Sequence, residues 1–219
     1  MLIDKKTSEK FDKYMEKYQR FYRRLALVAQ NNLLCSIRNP LIVDIGIGSG
    51  LLSLEIIKLI PNAKIIGIDP SVDMLKLVKK HVVGTNFKEI ETILTKAESI
   101  PLKDELADLV ISRFSFIYWD NPSDGLSEIY RILKPGGRMI LELINKDFPR
   151  WKLFLTKIHM FINSADNEII KYHINSYKKA YKMDQIEKLI SYEGFNIILK
   201  EGRKRKWKFL LIAEKPLRE

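Results

Sequence analysis

Between Val43 and Gly50 the chain reads Val-Asp-Ile-Gly-Ile-Gly-Ser-Gly, an aliphatic run that empties into three alternating glycines and then into a helical pattern. Glycines in such a place permit a tight turn and let the backbone approach a ligand closely. Nicotinamide-binding folds place glycines similarly, but with the spacing G-x-G-x-x-G, whereas here Leu51 follows Gly50. Asp44 is a second departure from a pyrophosphate site, because a carboxylate beside the loop repels a diphosphate and suits an ammonium group. The expected ligand carries an amine rather than phosphates.

Nineteen residues after Gly50, the run Gly67-Ile68-Asp69-Pro70 ends a second aliphatic stretch and sets a carboxylate beside the glycine loop. Its two oxygens can accept from two vicinal ribose hydroxyls. Asp69 could instead cap the following helix, but Ser71 is equally able to do that.

Together with Leu133-Lys134-Pro135-Gly136-Gly137 before a fifth aliphatic run, these residues closely resemble class I S-adenosylmethionine-dependent methyltransferases, over about Ile42 to Leu143. The resemblance implies a doubly wound α/β, Rossmann-like, mostly parallel seven-stranded sheet that ends in an antiparallel hairpin. It implies S-adenosylmethionine as cofactor, its methionyl part cradled by Gly46, Gly48 and Gly50, its amine supported by Asp44 and its ribose held by Asp69. Pro70 and Met74 then lie near the adenine ring. Where such enzymes read Asp-Ala-Glu after the third strand, this chain has Lys96-Ala97-Glu98. Ala97 can still meet the ring through its backbone, and Glu98 is the remaining candidate for the exocyclic amine, so weakened adenine binding is expected. After the fourth strand, Ser112 and Arg113 are candidates for the cofactor shell, and Tyr118 and Trp119 for the acceptor pocket. The Asn/Asp-Pro-Pro-aromatic motif of nucleic-acid amino methyltransferases is absent from Asp120-Asn121-Pro122-Ser123.

Methyl transfer from a sulfonium needs alignment and exclusion of water more than it needs a base. If the acceptor must lose a proton, Tyr118, Tyr172, His173 and Tyr177 are the candidates.

Composition limits the alternatives. With 219 residues, 46% of them hydrophobic, one well-buried domain is expected. A lone cysteine, Cys35, closes an apolar helical stretch and reads as a small core residue; the three histidines, His81, His159 and His173, are far apart in sequence, so no metal site is indicated. No run approaches the ~18 apolar residues of a membrane span, and the first 32 residues lack a cleavable apolar leader, so a soluble, cytoplasmic protein is expected. The net charge of +11 is uneven. Residues 1–40 carry 9 basic and 4 acidic side chains, residues 41–144 carry 12 and 14, and residues 145–219 carry 17 and 9. Basic flanks could draw in an anionic small molecule or a nucleic acid, or simply be a solvated surface.

Four segments follow. Residues 1–40 read as one amphipathic helix, with Phe11, Tyr14, Met15, Tyr18, Tyr22, Leu25 and Val28 on one side, and as a lid over the cofactor by the same resemblance. Residues 41–144 alternate five strands (Leu41 to Ile45, Lys64 to Ile68, Glu91 to Thr95, Ala107 to Ser112, Arg138 to Ile144) with helices. Residues 145–183 read as a substrate-side insertion with two aromatic-rich helical patterns. In residues 184–219, a helix capped by Asp184 leads into a hairpin. The leading expectation is methylation of a small molecule. The alternatives are an RNA or protein methyltransferase that docks through Arg203-Lys204-Arg205-Lys206, a cofactor-binding module without turnover, and a nicotinamide-linked oxidoreductase, which would bind NAD.

Overall fold

The computed structural model describes residues 5–16, 19–33, 37–83, 90–162, 166–202 and 206–218. Tyr18, Cys35 and the basic residues Arg203 to Arg205 lie outside them, as does the side chain of Phe11. Two helices come first, α1 (Lys5–Glu16) and α2 (Gln19–Asn31). There follow β1 (Leu41–Ile45), α3 (Leu51–Leu59), β2 (Lys64–Asp69), α4 (Val72–Val82), β3 (Ile90–Leu94) and β4 (Ala107–Arg113). A 3-10 turn at Phe116–Tyr118 precedes α5 (Pro122–Ile132), β5 (Leu133–Ile144), α6 (Arg150–Ile162), α7 (Asn167–Lys179), α8 (Met183–Tyr192), β6 (Asn196–Glu201) and β7 (Lys208–Glu214).

The strands form one seven-stranded sheet in the order β3-β2-β1-β4-β5-β7-β6, with the first five parallel and β7 antiparallel to both neighbours. This is the expected doubly wound sheet with a C-terminal hairpin. Strand order reverses between β1 and β4, so the carboxyl ends of β1, β2 and β4 open on the crevice where such sheets bind ligands. Residues of near-continuous aliphatic character cover both faces. Ile42, Ile65, Leu109, Ile111 and Ile140 pack under α2 and α3. Val43, Ile45, Val110, Met139 and Leu141 pack under α5 and α8.

Three local expectations are corrected. The N-terminal amphipathic stretch is two helices with different partners: α1 packs on α4 and α7, and α2 on α3. Pro135, Gly136 and Gly137 do not precede the fifth strand but lie within it, as an irregularity opposite Ala107 and Leu109. Gly136 there takes φ +77°, and its amide and the Gly137 carbonyl bond to Lys215 of the segment after β7. Finally, Lys182 rather than Asp184 is the residue before α8; its amide donates to Gln185 Oε1 at 3.0 Å, and Asp184 sits in the first turn, where a carboxylate complements the helix dipole.

One long-range contact fixes α1. His81 at the end of α4 turns Nδ1 to the Ser49 carbonyl at 2.9 Å and Nε2 to Asp12 Oδ2 at 3.1 Å, with Glu16 Oε1 at 4.0 Å. Both ring nitrogens face acceptors, so the arrangement calls for the imidazolium. The hydrogen bond with Asp12 raises His81 above its ordinary 6.5. Burial works against the Asp12 carboxylate, yet the His81 contact still holds it below 3.8. The signs follow from linkage. The His81 contribution is complete below pH 6.5 and is lost as pH rises through its raised folded value; the Asp12 contribution is present above 3.8 and is lost as pH falls through its lowered one. The difference in thermal midpoint between the native chain and His81→Gln should therefore be largest between about pH 4 and 6.5 and shrink at higher pH. A difference that stays constant from pH 5 to 9 would show that His81 acts by packing and not by charge.

Candidate functional site

The site grows out of the turn after β1. Gly46 and Ile47 both donate to the Ile68 carbonyl, at 2.7 and 3.0 Å, which folds the loop back over the end of β2. Gly46, Gly48 and Gly50 all have positive φ, +73°, +58° and +84°. At Gly46 the requirement is steric as well, because a Cβ would stand 2.2 Å from the Cβ of Ser115. At Gly48 a Cβ would meet nothing within 4 Å, so the loop is open on the side where a ligand can approach. Gly50 is the left-handed residue that starts α3.

Asp69 closes the loop from the β2 side. Its Oδ2 accepts from the Gly48 amide at 3.0 Å and its Oδ1 from the Ser71 amide at 2.8 Å, and each oxygen keeps a further lone pair. Ser71 itself caps α4 by accepting from the Met74 amide. Burial raises the Asp69 carboxyl above its ordinary value, and the two amides oppose that. Pro70 is exposed next to it and Met74 is buried.

Asp44 is a carboxyl group buried with little to answer its charge. It is 2% exposed, it accepts from Ser53 Oγ at 2.7 Å, and burial lifts its pKa to about 7, with Asp69 adding repulsion and Arg113 attraction. Ionising it in the folded chain costs about 4 kcal/mol relative to an unfolded chain at 3.8. An ammonium group beside Asp44 would offset that cost, and a phosphate would add to it. The donor set therefore fits an amino-acid-bearing ligand.

Other expected residues divide. Ser112 is buried and shares a 2.6 Å hydrogen bond with Ser115 Oγ, which in turn donates to the Ile45 carbonyl at 2.9 Å. Ala97 is buried near the end of β3. Glu98 Oε1 accepts from the amides of Asp120 and Asn121, at 2.6 and 3.1 Å. Lys96 pairs with Asp120 at 2.6 Å on the surface. Arg113 donates to Glu142 at 2.8 Å and its guanidinium stands over the rings of Tyr22 and Phe114, at 4.4 and 4.5 Å, while Glu142 also pairs with Lys208. Trp119 faces the core, against Phe116 and Gly125, with Nε1 toward Ser115 Oγ at 3.3 Å.

The remaining acceptor-side candidates come together around α7. Tyr118 stacks on Tyr172 at 5.7 Å between ring centroids and shares a short hydrogen bond with Ser176. His173 meets Tyr14 at 5.9 Å and Trp207 at 6.4 Å. Burial raises the phenols of Tyr118 and Tyr172. The Tyr177 hydroxyl has one proton and two carbonyls in reach, those of Phe148 at 3.0 Å and Lys146 at 3.2 Å. His173 is the exception: burial lowers it below 6.5, and Nδ1 lies 3.0 Å from the Ile169 carbonyl. A carbonyl only accepts, so the proton of the neutral ring sits on Nδ1 and the lone pair on Nε2.

Three contributors were not singled out by the sequence reading. Ser115 packs against Gly46, and only its closeness to the Ser112 candidate could have flagged it. Phe114 holds φ +59°, a backbone state that aromatic residues seldom adopt, and no sequence signal marks it. Asp12, Glu16 and His81 bring three potential ligand atoms within 4.8 Å of one another, but the ring of His81 is already engaged on both nitrogens.

A family model described as a methyltransferase domain matches residues 43–141. The chain is 32% identical over 169 residues to a demethylmenaquinone methyltransferase of Symbiobacterium thermophilum, covering 70% of this chain and 67% of that protein. It is 34% identical over 125 residues to the ubiquinone/menaquinone biosynthesis C-methyltransferase UbiE of Geotalea daltonii, covering 56% of this chain and 52% of that one. The crystal structure of a Methanococcus maripaludis protein superposes with a TM-score of 0.74 over 99% of this chain and 95% of that one, at 24% identity, which is a likeness of fold. With the fold, the glycine loop and the two aspartates in place, the chain belongs to the class I S-adenosylmethionine-dependent methyltransferases. Its cofactor is S-adenosylmethionine.

The state of Asp44 makes a prediction that separates binding from stability. Asp44→Asn keeps an acceptor for Ser53 and removes the buried charge, so above about pH 7 the cofactor-free variant should unfold at higher denaturant, by an amount worth about 1–4 kcal/mol, while binding S-adenosylmethionine more weakly. A variant that is less stable than the native chain at pH 8 would contradict this account of Asp44.

Proposed function

We propose that this chain methylates a small, neutral aromatic acceptor of the hydroquinone class, with His173 taking the proton that the acceptor gives up. The single observation that carries the reading is the chemistry around α7, where a neutral imidazole sits among the rings of Tyr14, Tyr172 and Trp207. A flat aromatic acceptor suits such walls. The names of the two quinone-pathway relatives support the same class.

On this reading Gly46, Gly48 and Gly50 hold the methionyl part of the cofactor, Asp44 its amine and Asp69 its ribose hydroxyls. Pro70, Met74 and Ala97 flank the adenine. With Lys96 paired to Asp120 and one oxygen of Glu98 held by two amides, the backbone at Ala97 carries most of the adenine edge, and weak adenine binding follows. Bound S-adenosylmethionine supplies a methyl group on a sulfonium leaving group. The protein's part is to align the acceptor behind that carbon, to exclude water and to receive a proton. Tyr118 and Tyr172 remain protonated: Ser176 donates to the Tyr172 carbonyl, so Tyr118 gives its single proton to Ser176. Their raised phenols leave His173 Nε2 as the proton acceptor. The N-terminal helices serve as the lid, supported by the link from Asp12 through His81 to Ser49 of the glycine loop.

The test is transfer of labelled methyl from S-adenosylmethionine to soluble hydroquinones, read against pH. Transfer should occur, with an acid limb set by a histidine, and His173→Gln should lower kcat by roughly a hundredfold or more and remove that limb. An unchanged pH profile in His173→Gln would remove the base assignment. Methylation of RNA but of no hydroquinone would remove the acceptor class.

A further inference from the structure

Helix α6 is built the wrong way round for a surface helix. Trp151, Phe154, Leu155, Ile158, Phe161 and Ile162 are 40 to 72% exposed, although all are large and apolar. At helical spacing they fall within one arc of about 120°. Met160 lies on the opposite side of the helix and is buried against Ile169 and Ile170 of α7, so the exposed stripe is not the face by which α6 docks on the protein. Contiguous apolar surface of this kind marks an interaction site.

The charges around the stripe say what it meets. Arg150 and Lys157 border one margin and Lys152 the other, with the Lys152 ammonium over the Trp151 ring at 5.4 Å. From Phe148 to Ala165 the sequence contains no acidic residue. The next two acids, Asp166 and Glu168, are both paired with Lys10, at 2.8 and 3.1 Å. A second copy of the chain is disfavoured here, because a twofold contact through the stripe would bring these cationic margins together. An anionic bilayer satisfies both parts: the rings and aliphatic side chains enter the acyl boundary, and the lysine and arginine heads reach the headgroup phosphates.

We propose that α6 is a membrane-surface helix that seats the protein on anionic lipid. At 13 residues it is about 20 Å long, short of the ~30 Å hydrocarbon core, so it lies in the interface and does not cross. No helix among the described residues is long and apolar enough to span a membrane. The docking inference stands on α6 alone. Its use, delivery of a lipid-soluble acceptor to the side of α7 that carries Tyr172 and His173, rests on the hydroquinone reading above.

The experiment is sedimentation of the full chain with vesicles of phosphatidylcholine containing phosphatidylglycerol, and with phosphatidylcholine alone, at low and high salt. Cofactor binding by calorimetry and transfer to a water-soluble hydroquinone are read on the same preparation. The chain should sediment with the anionic vesicles, less so at high salt, and its tryptophan emission should shift to the blue unless Trp151→Phe is present. The double variant Phe154→Glu with Phe161→Glu replaces two exposed side chains, so it should fold and bind cofactor as before while losing at least about tenfold in vesicle affinity. No sedimentation with anionic vesicles, or equal sedimentation of the double variant, overturns the proposal. So does a native dimer that the double variant dissolves, which would make the stripe a contact between copies. Failure of hydroquinone methylation with vesicle binding intact would overturn the acceptor class and leave the membrane face standing.

Discussion

The site hangs on one carboxylate. Asp69 ties the glycine loop to the start of α4 by accepting from Gly48 on one side and Ser71 on the other. Without those bonds, two amides at the mouth of the crevice lose partners, and a loop of left-handed residues loses its anchor on β2. The remaining loop contacts follow from that closure. The loop folds onto the Ile68 carbonyl, Gly46 is pressed against Ser115, and Ser115 bonds in turn to Ile45, Ser112 and Trp119. One acidic side chain thus joins the ends of β1 and β2, and the glycine it helps to set joins them to the end of β4.

A second theme is charge held at a cost. Asp44 is buried with a hydroxyl for company, and its pKa near 7 is the signature of a group whose environment favours neutrality. Stability alone would favour asparagine at that position. A carboxylate gains only when a cation arrives, which is why the position reads as one shaped by a ligand and not by the fold. Arg113 and Glu142 show the contrasting case. Glu142 is buried and Arg113 nearly so, but here the carboxylate faces cations, Arg113 and Lys208, and the guanidinium packs over Tyr22 and Phe114.

The cofactor half of the molecule was legible in the sequence because its requirements are local. The three glycines, Asp69 two residues before a serine cap, and the alternation of aliphatic runs with helices each follow from neighbours along the chain. What was not legible depends on contacts between distant residues. Nothing near His81 in sequence announces Asp12, and nothing near Gly46 announces Ser115. The N-terminal stretch has one helical periodicity throughout, but its two parts lie on different helices, which periodicity cannot tell. No sequence signal shows that Trp119 reaches Ser115 or that Glu98 receives the Asp120 and Asn121 amides. The basic flanks suggested an anionic partner, yet their clearest structural expression is the margin of an exposed apolar helix, a juxtaposition that only the burial of Met160 on the other side reveals.

The most direct test of the central claim is a calorimetric titration of the native chain and Asp69→Ala with S-adenosylmethionine, S-adenosylhomocysteine and NAD. The native chain should bind both sulfur compounds and not NAD, and the variant should bind the sulfur compounds roughly a hundredfold more weakly, as expected when the carboxylate that anchors the glycine loop is lost. Undiminished binding by Asp69→Ala, or binding of NAD in place of the sulfur compounds, would contradict the account of the loop and its carboxylate.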